Sequence, residues 1–122
     1  MLHIKLNNCP TSGQFSIAGT KSVHTVDLAD SLKQALYGAK LPQITAATKL
    51  IVMQASTRLT DDTMLIIKIE SPCPSTHWPR EDRQKLARAV LNTASSALPG
   101  YTIQVSISSS FNSDTGIFLE KE

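Results

Sequence analysis

Slid against itself, the chain repeats. Met1-Leu2-His3-Ile4-Lys5-Leu6 lies over Met64-Leu65-Ile66-Ile67-Lys68-Ile69, and after a one-residue shift Cys9-Pro10-Thr11 meets Cys73-Pro74-Ser75. A unit recurring at a spacing of about sixty residues is one supersecondary element used twice, and its two copies have similar apolar faces to bury.

Each copy opens as a strand with one buried side. Leu2, Ile4 and Leu6 point one way, as do Leu65, Ile67 and Ile69. A helical pattern follows each strand and its loop. The first runs from about Thr25 to Lys40, with Leu28, Leu32, Ala35, Leu36 and Ala39 on one stripe; Asp27 and Asp30 stand near its start, and Leu41-Pro42 closes it. The second starts at Pro79, expected at the first helical position, with Glu81 and Asp82 in the first turn. Leu86, Ala89, Val90, Ala94, Ala97 and Leu98 form its stripe before Leu98-Pro99-Gly100. Each helix leads to another strand, Lys49 to Ala55 and Tyr101 to Ser108.

The order is β-α-β-β-α-β, an α+β fold in one domain, 1–122, with halves 1–60 and 61–122. Thr60-Asp61-Asp62-Thr63 reads as a tight turn, so the second and third strands are expected to run antiparallel. Right-handed crossovers then set both helices on one face of a four-stranded mixed sheet, ferredoxin-like in outline. The other face is expected to show His3, Lys5, Ile66, Lys68, Glu70, Gln104, Ser106 and Ser108, either to solvent or to the inside of an oligomer. In the tail, Ile117-Phe118-Leu119 can add an edge strand or reach a neighbouring subunit, and the second reading is preferred.

Composition narrows the function classes. At 122 residues with 41% hydrophobic side chains, the chain suffices for one core. A net charge of +2, with no basic run, makes no electrostatic case for nucleic acid or an anionic membrane, and neither is expected as a partner. The expected open face also lacks aromatics for stacking bases. Met1 to Leu6 alternates rather than forming a basic patch and an apolar run, and no stretch approaches the roughly 20 apolar residues of a membrane span, so the expectation is a cytoplasmic protein. Two cysteines, Cys9 and Cys73, are too few for a disulfide scaffold, and at opposite ends of antiparallel central strands they are not expected to pair. With three histidines lacking paired spacing, neither metal nor cofactor is expected.

The segment Met64 to Ile69, the helix opening Arg80-Glu81-Asp82-Arg83-Gln84-Lys85-Leu86, the strand Ile103-Gln104-Val105-Ser106-Ile107 and the tail Gly116-Ile117-Phe118 resemble the strand, Arg-x-x-x-Gln-Lys helix opening, second strand and glycine-containing tail of the oxalocrotonate tautomerases. The duplicated unit resembles the tautomerase superfamily more widely, carboxymethyl-hydroxymuconate isomerase included. The resemblance implies a homotrimer with clefts at subunit borders, acting on a small oxo or enol acid. Family enzymes use an N-terminal proline as base or nucleophile. This chain has Leu2 as its second residue, which should leave Met1 in place with an ordinary primary amine. Arg80 matches a cationic substrate-binding group of the family, whereas Gln104 stands where a second arginine often lies.

The candidate site therefore comprises Met1 and His77 as groups able to move a proton, with Arg80, Trp78 and Leu2 binding substrate. A guanidinium at a helix N-terminus suits a carboxylate; the plainer alternative is a solvated arginine paired along its own turn. The plainer reading of His77 and Trp78 is a loop histidine and a packing staple, and Cys73 between Pro72 and Pro74, able to present a reactive thiol, reads more plainly as a small residue in a rigid loop. Two functions compete: a tautomerase-like domain binding or isomerising an oxo or enol acid, and a non-catalytic oligomeric interaction or regulatory module.

Overall fold

A computed structural model of the chain describes residues 2–17, 21–57, 63–70 and 79–107, together with the backbone of 117–121. The fold is α+β. Strands β1 (Leu2–Asn7), β4 (Leu50–Gln54), β5 (Met64–Glu70), β6 (Thr102–Ile107) and β7 (Ile117–Lys121) form one mixed sheet in the order β4-β1-β5-β6-β7. Strands β2 (Gln14–Ser16) and β3 (Ser22–His24) form a separate hairpin, and the helices are α1 (Thr25–Tyr37) and α2 (Arg80–Ala97).

The centre of the sheet is the antiparallel pair β1 and β5, in which Ile4 lies opposite Ile69 and Leu6 opposite Ile67. Parallel partners flank it, with β4 beside β1 and β6 beside β5. Alternation sends Leu2, Ile4, Leu6, Leu65, Ile67, Ile69, Ile103, Val105 and Ile107 to one side, where all are buried. On that side they meet Leu28, Leu32 and Leu36 of α1 and Leu86, Val90 and Ala94 of α2, so both helices share one face and one core. Each aliphatic side chain so buried contributes about 1.5–3 kcal/mol. The expected four-stranded sheet and two helices are thus present. The second and third of its strands, β4 and β5, run antiparallel as expected, but β1 lies between them.

Three expectations are corrected. The tail does not leave for a neighbour: β7 pairs antiparallel with β6 of its own chain, Val105 opposite Leu119, making a fifth strand. α1 ends at Tyr37 rather than near Lys40, because Gly38 caps it and Lys40 turns left-handed at φ 58°. Pro79 caps α2 from outside the first turn, with its carbonyl accepting from the Arg83 N–H at 3.0 Å. The inter-half turn at 58–62, Cys73 and Ser108 lie outside the described residues.

The first loop also contains structure that the repeat did not announce. Hairpin β2–β3 places Phe15 wholly in the core, edge-on to Tyr101 with ring centroids 5.9 Å apart. The Tyr101 hydroxyl donates to the Ser16 carbonyl at 3.0 Å. The hairpin thereby closes the end of the sheet where β1 stops and β5 and β6 begin. Cys9 is buried here, its Sγ donating to the Leu6 carbonyl at 3.5 Å. Phe15→Ala should cost about 3–5 kcal/mol of stability through the cavity it leaves, and Tyr101→Phe only about 1 kcal/mol. Urea unfolding midpoints check the ranking, and equal costs would mean that the ring contact does not anchor the hairpin.

Candidate functional site

The sheet has two ends, and the residues with chemistry divide between them. At the first, β1 begins beside the end of β5, with His3 opposite Glu70, and the Leu2 N–H donates to the Lys49 carbonyl at 3.0 Å. The first turn of α2 follows nine residues after β5, and Asp82 in it accepts from Gln43 Nε2 at 2.8 Å, tying it to the segment after α1. The start of β1, the end of β5 and the opening of α2 therefore lie at the same end of the sheet. Arg80, the first residue of α2, is exposed. Its charge and the first-turn N–H groups favour an anion, while Glu81 and Asp82 of the same turn oppose one.

Of the residues proposed from sequence, Arg80 stands at this end as expected. Leu2 reaches it only through its backbone, because its side chain is 2% exposed in the core. Met1, His77 and Trp78 lie outside the described residues. Gln104 is mid-strand on the open face of the sheet, opposite Ile66. On that face His3, Lys5, Ile66 and Gln104 are half-buried and Lys68 is exposed. Lys5 lies directly across from Lys68 and bonds instead to Glu70 on the diagonal, Nζ to Oε2 at 2.9 Å. Both partners are solvated, so this pair relieves the like-charge contact more than it adds stability.

Sequence reasoning passed over Arg83. It is 1% exposed, the only buried charged residue among those described. The spacing Arg83, Leu86, Ala87, Val90, Leu91, Ala94 continues the apolar stripe of α2 one step toward its start, which is the signal that identifies it. A guanidinium stays charged at any physiological pH, so burial there demands hydrogen-bonding surroundings rather than hydrocarbon.

At the second end, Asn8 adopts a left-handed backbone at φ 68° as the chain leaves β1. Its N–H donates to Ser56 Oγ at 3.0 Å and its Nδ2 to the Met64 carbonyl at 2.8 Å, binding β1, β4 and β5 together. Asparagine tolerates this conformation better than other residues with a Cβ. Beside this knot, an open depression of ≈ 390 Å³ runs between the first turns of α1 (Thr25, Val26, Ala29) and β4 (Val52, Gln54). Its lining is mainly apolar, with His24 as the titratable group among the residues that border it. The depression and Arg80 thus lie at opposite ends of the sheet.

No family model matches this chain, and no curated protein or solved structure matches it. Among the described residues, no helix is long and apolar enough to cross a membrane, and no three His, Cys, Asp or Glu side chains converge as a metal site.

Asn8→Ala should destabilise by about 1–3 kcal/mol, since it keeps the strained φ and drops the bond to the Met64 carbonyl. Asn8→Gly should cost less, as glycine accepts the conformation freely. Chemical denaturation of the two variants checks the order, and a glycine variant as weak as alanine would assign the whole effect to the side-chain bond.

Proposed function

We propose that this chain is a tautomerase-like domain that binds, and possesses the elements to isomerise, a small oxo or enol acid at the end of the sheet where β1 starts and α2 opens. The observation that carries the reading is the order β4-β1-β5-β6. Both β-α-β crossovers join strands that are direct neighbours, and the two units meet through an antiparallel centre. In a ferredoxin-like domain each crossover is split by an intervening strand. The unsplit arrangement therefore favours a duplicated β-α-β unit of the tautomerase kind.

In this reading Arg80 and the N-terminal turn of α2 hold the substrate carboxylate, by charge-assisted hydrogen bonds. The proton is moved by the Met1 amine or by His77, and Trp78 walls the apolar side. Leu2 in place of the family's proline leaves Met1 with an ordinary primary amine, without the secondary amine that the family's chemistry uses. That same substitution favours a second reading, a non-catalytic interaction or regulatory module on the same fold.

Ketonisation of the enol of phenylpyruvate, followed by ultraviolet absorbance, separates the two. The first reading expects turnover, with kcat/KM falling about tenfold to hundredfold in Arg80→Ala as one charge-assisted contact is lost. Absence of turnover across several enol acids would move the chain to the second reading.

A further inference from the structure

Strand β4 is an edge of the sheet. Its sequence, Leu50-Ile51-Val52-Met53-Gln54, contains no charge, no proline and no glycine. Natural edge strands are guarded against pairing by charges, prolines or bulges, and β4 has none of these. The other edge, β7, ends in Glu120-Lys121. From this difference and from the chemistry along α1, we infer that two copies of the chain join through β4, pairing it antiparallel with itself about a two-fold axis at Val52.

The backbone decides which groups are available. The Leu2 N–H donates to the Lys49 carbonyl at 3.0 Å and the Ala55 N–H to the Leu6 carbonyl at 2.8 Å. With Leu2 in register with Leu50 and Leu6 with Gln54, the parallel ladder uses Lys49, Ile51, Met53 and Ala55, and turns the N–H and C=O of Leu50, Val52 and Gln54 outward. A two-fold at Val52 sets Val52 against itself and Leu50 against Gln54, so every outward donor meets an outward acceptor. No charged residue faces another of its sign across the strands.

The flank of α1 that borders this edge has the same self-complementarity. Val26 and Tyr37 are the exposed large hydrophobics among the described residues, at 70% and 45%. They are three helical turns apart on one stripe, with Asp30 and Lys33 between them. Val26 lines the depression against Val52, and the Tyr37 hydroxyl donates to the Thr48 carbonyl at 2.7 Å, so the stripe faces the β4 side. Read in reverse by a second copy, it sets Val26 toward Tyr37 and Asp30 toward Lys33. A two-fold joint of this kind differs from the threefold assembly that the resemblance implies, and it stands whether or not the domain turns over an enol acid.

Sedimentation and native mass spectrometry of the full chain test it. The expected mass is that of a dimer. Gln54→Pro removes an outward N–H that the protomer's own ladder does not use, deleting two bonds per dimer, and should raise the dissociation constant about thirtyfold. Val52→Lys should do at least as much, with an unchanged circular dichroism spectrum for both, while Ser106→Lys on the open face of the sheet leaves the dimer intact. In the wild type, the amides of Val52 and Gln54 should be protected from hydrogen exchange despite their edge position. A monomer, a trimer, or a dimer indifferent to both β4 variants overturns the inference.

Discussion

Everything in this fold is referred to the antiparallel contact of β1 and β5. Ile4 opposite Ile69 and Leu6 opposite Ile67 set the register of the central pair, and that register puts three apolar residues from each strand on the helix side. A slip of one residue in β1 would turn His3 and Lys5 inward and Leu2, Ile4 and Leu6 outward, which no rearrangement of the helices could compensate. Because β4 and β6 each add in parallel to one central strand, their placement follows once this pair is formed.

The two ends of the sheet are finished differently, and this determines where chemistry can reside. At one end Phe15, Tyr101 and the Asn8 knot fill and tie the space over the strand ends, beside the open depression along α1. At the other, the opening of α2 brings a helix N-terminus, an exposed Arg80 and a buried Arg83 within one turn of each other, next to the start of β1. Two guanidinium groups stand in one turn there, one solvated and one buried. Glu81 and Asp82 temper their charge. A ligand held there would need a carboxylate to compete with these acids and an apolar body to use the space that charge alone does not fill.

The sheet's two faces and two edges present a parallel asymmetry. The open face is polar enough to stand in water, with Lys5, Lys68 and Glu70 neutralising one another in part. The β4 edge offers unused backbone bonds beside exposed apolar side chains, the combination that water satisfies least well. Association through the edge, where hydrogen bonds supply direction, is a more specific solution than stacking of mixed polar faces.

Much of the architecture was legible because the repeat is written in periodicities. Alternation in Leu2-Ile4-Leu6 and Leu65-Ile67-Ile69, and the stripes of α1 and α2, each reflect a local rule of burial that holds wherever the segment packs. Arg80 was legible for a similar reason, since a residue following Pro79 at a helix start needs no knowledge of the rest of the chain. The hairpin carrying Phe15, the docking of β7 on β6, the burial of Arg83 and the left-handed turn at Asn8 were not. Each depends on a partner distant in sequence: Tyr101 for Phe15, Val105 for Leu119, the strands that α2 packs against for Arg83, Met64 for Asn8. The sequence by itself therefore determined the elements, their order and the side each buries, because those are fixed by the period of side chains along one backbone. Tertiary structure alone decided which strands become neighbours, which edge is left without a guard and which arginine is taken from water, because these are set by contacts between segments whose separation no local period encodes.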